Sequence, residues 1–341
     1  MPITYDEIHD TFNALQKTEA YLESEWAGIE TFLRGADKFV FVGCGSSYSI
    51  AKSFAAICIM GTGKPASAVA AGDVILHAQR YKKAVDGAAV VFISRSGRTS
   101  ELLMALDAME SQGCDFEVAS LICADGTPLG ARSSLVLSTP WAFDESVCQT
   151  RCVTNFYFIA AYVYAKIAGE TSLMNDLRFL LSDGGYISRA EALAEEISGL
   201  PWTHVVVLAD AELEGIAEEG SLVFKEVCQL PSNYHHLLDV RHGPMVLIGG
   251  KTLVLAVIGG SRKLEHDLLG DMKKKDALTV AFVNGTDELE DIRVTGFGRP
   301  MSHIACGIPF IILCQLIAYY KSKVTGADPD KPEGLDPWIA L

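Results

Sequence analysis

The chain has 341 residues, 49% of them hydrophobic and 21% charged, with a formal net charge of −15. That length and apolar content suggest two globular domains with sizeable cores, and the acidic balance argues against a nucleic-acid or anionic-membrane surface. The nine cysteines form no CxxC pair and fall mostly inside apolar runs, so they read as buried free thiols of a reducing cytosol. Cys148 and Cys152 have helical spacing, but no matching His/Cys set follows, and no metal site is expected.

The opening residues are polar and acidic, unlike a secretory signal. Tyr5 to Leu33 reads as one helix with its charges on one face. Lys38–Val42 reads as a strand, followed by the loop Gly43-Cys44-Gly45-Ser46-Ser47 and a helix over Ser49–Met60. A short strand over Ala66–Val69 and a short helix over Asp73–Tyr81 lead to a second strand, loop and helix. This is the apolar run Val90–Ile93, then Ser94-Arg95-Ser96-Gly97-Arg98-Thr99-Ser100, then a helix with Leu102, Leu103, Leu106 and Met109 at helical spacing. Glu117–Cys123 and Leu135–Ser138 read as strands, and Glu145–Ala168 as a long helix.

Thr171–Leu200 reads as a helical connector. Beyond it come strands at Trp202–Ala209, Lys251–Val257 and Leu278–Val283, and helices at Gly215–Cys228, Lys263–Lys274 and Ile308–Val324. The apolar run Ile304–Tyr320 carries Pro309 and Gln315 and reads as a buried helix rather than a membrane span. Strands alternating with helices imply parallel, doubly wound sheets, and the second half echoes the first as an internal duplication. The expected division is an N-terminal helix (1–34), a first domain (35–170), a connector (171–200), a second domain (201–325) and a tail (326–341).

A strand, a Ser/Gly loop and a helix present free backbone N–H groups and a positive dipole end, which suits an anion. Two such loops leaving neighbouring strands of one half could close on one phosphate at the carboxyl edge of the sheet. The competing reading is two ordinary polar helix starts. Dinucleotide binding fits less well, because Tyr48 stands where a third glycine would be needed. The second half has Ala209-Asp210-Ala211 at the corresponding place and is not expected to hold phosphate.

Glu226 lies among apolar neighbours and reads either as a base with a tuned pKa or as a surface carboxylate paired with Lys225. His242, in a loop beside Arg241, reads either as an acid/base or as a solvated histidine. His235 and His236 carry no assigned role.

Gly43-Cys44-Gly45-Ser46-Ser47, Ser94-Arg95-Ser96-Gly97-Arg98-Thr99 and Arg241-His242-Gly243-Pro244, in that order and spacing, resemble the double sugar isomerase (SIS) domain family from about residue 35 to the tail. The branch represented by the isomerase half of glucosamine-6-phosphate synthase also has the sixteen-residue interval seen here from Glu226 to His242. The resemblance implies an α/β fold of two doubly wound, flavodoxin-like or Rossmann-like three-layer domains. It implies a sugar 6-phosphate held by Ser47, Ser94, Arg95, Ser96 and Thr99, with Cys44, Gly45 and Ser46 lining the sugar and Val147 and Gln149 in a substrate-contacting loop. Glu226 would move a proton between C1 and C2, and His242 would assist ring opening from the partner subunit of a homodimer with shared sites. No cofactor, nucleic acid or membrane is implied, and the compartment expected is the cytoplasm.

Several positions depart from the synthase pattern. Val223 and a place near Pro337 stand where the synthase has lysines, Gln149 replaces a serine, and Arg98 replaces a glutamate. No glutaminase part precedes the match, so ammonia is not expected to come from glutamine by that route. The reading is an aldose–ketose isomerase, deaminase or deglycase of an aminosugar 6-phosphate. The alternatives are an isomerase of a non-amino 6-phosphosugar and a non-catalytic phosphosugar sensor.

Overall fold

A computed structural model of the chain describes residues 2–336 apart from 260–261, 286–288 and 290–291. In order, the elements are α1 (Ile3–His9), α2 (Thr11–Ser24), α3 (Trp26–Gly35), β1 (Phe39–Gly43), α4 (Ser46–Thr62), β2 (Ala66–Ala70), α5 (Ala71–Val85), β3 (Ala88–Ser94), α6 (Ser100–Ser111), β4 (Phe116–Ile122), β5 (Leu135–Ser138), α7 (Arg151–Ala168), α8 (Thr171–Ser182) and α9 (Tyr186–Ser198). The second half continues with β6 (His204–Leu208), α10 (Glu214–Val227), β7 (Ser232–His235), β8 (Thr252–Ile258), α11 (Arg262–Lys273), β9 (Leu278–Val283), β10 (Arg293–Gly296) and α12 (His303–Thr325).

Packing divides the chain into two units. One comprises Asp10–Glu145, Arg151–Thr171 and Asp336; the other comprises residues 2–9, Ser146–Thr150 and Ser172–Leu335.

The first unit holds a five-stranded parallel sheet in the order β2-β1-β3-β4-β5. Every residue of β1 and β3 is buried, as expected for central strands covered on both faces. On one face Val40, Val42, Val90 and Phe92 pack with Leu102, Leu106 and Met109 of α6 and with Val74 of α5. Helices α3, α4 and α7 lie over the other face.

The second unit repeats the design, in the order β10-β9-β8-β6-β7. Numbering strands within each half gives 2-1-3-4-5 both times, so the duplication read from the sequence extends to the topology. Val206, Leu208, Val254 and Ile258 pack on Leu268, Leu269 and Met272 of α11. Helix α12 is long and apolar enough to cross a membrane, but 89% of its most apolar window is buried inside the protein, as for a core helix.

Four local readings are corrected. The helix expected over 5–33 is three helices. Its first segment is pinned by Asp330, whose carboxylate accepts the backbone N–H groups of Ile3 and Thr4 at 2.8 Å each. The helix expected from Glu145 begins only at Arg151, because buried Asp144 reaches forward to cap it, accepting the N–H of Cys152 at 2.9 Å. The connector is two helices, broken where the Asp183 carboxylate accepts the N–H of Gly185 at 3.1 Å. The short strands β7 and β10, missed in the sequence, close the two edges of the second sheet. The tail from 337 on, including the Pro337 position, lies outside the described residues.

Candidate functional site

In the first unit β1 and β3 are neighbours, with Val42 opposite Phe92, and β1's other neighbour is β2. The chain leaves β1 toward β2 and returns on the far side of β1 to form β3. The carboxyl ends of β1 and β3 therefore flank the switch point where ligands of open α/β sheets bind.

The first loop depends on two glycines. A Cβ on Gly43 would lie 2.4 Å from the Ser47 carbonyl carbon, so only glycine lets the start of α4 sit so close to the strand end. Gly45 has φ +53° and is the N-cap of α4, which receives no side-chain capping bond. Ser46 and Ser47 are buried beside it, and Cys44 is half-buried. Burial, with the negative charge of Glu101, pushes the Cys44 thiol up to about 11, so it meets a ligand as a neutral thiol.

The second loop is held by its own hydroxyls. Ser94 Oγ shares a 3.0 Å hydrogen bond with Thr99 Oγ1 and accepts the N–H of Gly97 at 3.0 Å. Ser96 Oγ accepts the N–H of Arg98 at 3.2 Å. Gly97 has φ +60°, and a Cβ there would lie 2.6 Å from the Thr127 hydroxyl. The loop is tied to the next crossover by the N–H of Cys123 donating to Arg95 O (3.0 Å) and that of Leu129 donating to Gly97 O (3.3 Å). Helix α6 starts at Ser100, and Thr99 supplies no side-chain cap.

The two arginines of this loop part company. Arg95 is buried, donates Nη1 to Asp144 O at 3.2 Å and lies 5.7 Å from the Phe143 ring centre. Arg98 is exposed and donates to Gly126 O at 3.3 Å. Glu101, in the first turn of α6, was not singled out by sequence. Its Oε2 is buried and has no hydrogen-bond partner among the described residues. Acidic residues early in a helix are common, so nothing in the sequence marks it.

The remaining candidates belong to the second unit. Val147 and Gln149 are half-buried in the segment Ser146–Thr150. That segment is held by Val147 N–H to Asp330 O (3.0 Å), Gln315 Nε2 to Thr150 O (2.9 Å), and the Ser146 N–H and hydroxyl to the Glu7 carboxylate. Glu226 is half-buried in the last turn of α10. Beside it, burial lowers the Lys225 pKa, and Lys225 Nζ donates to Ser221 Oγ at 3.1 Å. Val223 is 1% exposed and belongs to the core.

His242 follows the 3₁₀ turn Asp239–Arg241 and is exposed. Arg241 is fixed to Asp271 Oδ2 through Nε (3.0 Å) and Nη2 (2.7 Å). After Gly243 (φ +125°) the turn Pro244–Leu247 leaves Val246 79% and Leu247 69% exposed.

At the second unit's own switch point, carboxylates of the chain meet two of the described loop N–H groups. Ala211 (φ +55°) stands where Gly45 does in the first. Asp210 Oδ1 accepts the N–H of Leu237 at 2.9 Å, and Glu265 Oε2 accepts that of Gly259 at 3.0 Å. Among the described residues no cluster of His, Cys, Asp and Glu is arranged to hold a metal ion.

Residues 32–160 match the model of the SIS domain family. The chain is 24% identical to D-galactosamine-6-phosphate deaminase AgaS of Shewanella sp. ANA-3, over 78% of this chain and 69% of that protein. It is 27% identical to the isomerizing glutamine–fructose-6-phosphate aminotransferase of Pyrobaculum aerophilum, over 96% of this chain and 56% of the relative. The chain thus spans little more than half the length of such aminotransferases. The fold matches the crystal structure of a glucosamine-6-phosphate deaminase from Thermotoga maritima with a TM-score of 0.81 at 23% identity, covering 99% of this chain and 100% of that one.

Proposed function

We propose that this chain is a phosphosugar aldose–ketose isomerase acting on an aminosugar 6-phosphate, working as an isomerising deaminase or deglycase. The observation that carries the reading is the first unit's switch point. There two helix starts with no side-chain cap, Gly45–Ser46 and Thr99–Ser100, flank one sheet edge beside buried serine hydroxyls. Donors and dipoles of this kind suit a dianionic phosphate. The matching relatives are named for amino- and keto-sugar 6-phosphates.

In this reading Ser47, Ser94, Ser96 and Thr99 hold the phosphate together with the loop amides. Arg95 acts from behind, bracing the loop against Asp144. Cys44, Gly45 and Ser46 line the sugar, and Val147 and Gln149 contact it. Phosphate binding energy orients the reacting carbons. His242 assists ring opening, and Glu226 carries the proton between C2 and C1. For a 2-amino aldose, moving the C2 proton to C1 gives a 2-imine, which water hydrolyses to the ketose and ammonia. Val223 offers no amine, so the mechanism has no imine to that position.

The exposed His242 loop with its uncovered Val246 and Leu247 supports a homodimer in which His242 serves the partner's site. The cytoplasm is the compartment proposed for it.

The test is product analysis of the purified protein with glucosamine, galactosamine, fructose, tagatose and fructosamine 6-phosphates. Ketose plus ammonia from an aminosugar supports the proposal. Interconversion of a ketose and an aldose without amine release makes it a plain isomerase. Tight binding of one sugar with no turnover of any would make it a sensor.

A further inference from the structure

The first sheet is filled unequally on its two faces. Over the face covered by α5 and α6 the side chains form a closed core. Over the other face, between the sheet and helices α3, α4 and α7, there is an apolar cavity of about 130 Å³ that is partly open to solvent. Phe41 and Leu121 form part of its floor, and Phe32, Ile57 and Ile159 part of its walls.

The few polar groups at its border are already satisfied. Lys64 Nζ donates to Leu33 O (3.2 Å) and Ala36 O (2.6 Å), and Thr62 Oγ1 donates to Cys58 O (2.6 Å). A water at the apolar bottom of the cavity would lack the two to four polar partners it needs. Apolar cavities of roughly 150 Å³ stay dry and accept benzene or xenon. The side chains around such a void forgo dispersion contacts that a guest of matching shape restores.

We propose that this cavity is a binding site for a small neutral aromatic molecule the size of a single benzene ring. The volume holds one ring and not a peptide segment. The walls are almost wholly apolar, and the one cation among the described residues at the border, Lys64, spends two of its three donors on carbonyls and lies 5.7 Å from the Phe39 ring centre. Tyr164 shapes one side by lying against the backbone of α4, where a Cβ on Gly61 would come within 2.1 Å of its ring. Phe41 and Val91 of the floor belong to β1 and β3, the strands that end in Gly43 and Ser94, so a guest touches the sheet beneath both loops.

The test uses the full chain and benzene itself. Benzene is expected to raise the melting temperature saturably and to give nuclear Overhauser contacts to the δ1 methyls of Ile57 and Ile159. Ala160→Phe places a ring in the cavity and is expected to abolish the response while melting no lower than wild type. The absence of both a saturable shift and methyl contacts in the wild-type protein would overturn the proposal. So would an unchanged benzene response in folded Ala160→Phe. If that variant does not fold, the wild-type methyl contacts decide the matter.

Discussion

Gly43 and Ser47 approach so closely that a Cβ on Gly43 would lie 2.4 Å from the Ser47 carbonyl carbon and 2.6 Å from the Tyr48 nitrogen. The obstacle is backbone, which cannot swing aside. Gly43→Ala should therefore cost about 1–3 kcal/mol of stability and move the start of α4 away from the strand end. Denaturant unfolding measures the first effect. A loss of at least tenfold in phosphosugar affinity reports the second, and unchanged affinity would place the ligand elsewhere.

Ser94 ties its loop together by accepting the N–H of Gly97 and bonding to Thr99. Ser94→Ala removes both bonds, at about 1 kcal/mol of net stability. It should weaken phosphosugar binding about tenfold, roughly 1.4 kcal/mol. Calorimetric titration of the variant measures this. Equal affinity in wild type and variant would show that the loop does not contact phosphate.

Asp144 decides where α7 begins. Its carboxylate is buried and accepts the N–H of Cys152. Asp144→Ala should destabilise the protein by roughly 2 kcal/mol, and Asp144→Asn, which keeps an acceptor, by less. Equal losses for the two variants would mean that the capping bond is not what stabilises this junction.

These residues also mark how far the sequence can be read. The first sheet is legible because β1 and β3 are unbroken apolar runs, and the candidate anion site is suggested because Gly and Ser crowd the turns that follow them. Strands β7 and β10, SNYH and RVTG, lack any apolar run; they are strands because a neighbouring edge pairs with them. Nothing local in Glu145–Thr150 breaks a helix; Val147 and Thr150 are held by Asp330 and Gln315 from far along the chain. Arg95 reads as a phosphate ligand from its place in the loop. Its burial beside Phe143 and its hydrogen bond to Asp144 O are not legible from that place.

Arg241, beside His242, gives a pH prediction. Hydrogen bonds from Arg241, then from Lys274, hold the Asp271 carboxyl below the ordinary carboxylate range. A depressed folded-state value means that the stabilisation is complete above the unfolded value of about 3.9. It is lost as pH falls through the lower folded value. Because the pair is partly solvated the effect is modest. The melting temperature should fall less steeply between about pH 5 and pH 2 in Asp271→Asn than in wild type. Identical acid slopes would mean that Asp271 titrates normally.

The central claim is that Glu226 carries a proton between C1 and C2 of a bound 6-phosphosugar. The most direct measurement is deuterium incorporation from heavy water, followed by NMR, in wild type and in Glu226→Gln. The account predicts label at C1 or C2 of at least one sugar with the wild-type protein. In the variant the rate should fall by a factor of at least about 100, with the sugar still binding to within a few-fold. Label appearing at the same rate in Glu226→Gln would contradict the assignment of the base. Its absence from every sugar that binds the wild-type protein would contradict the enzyme.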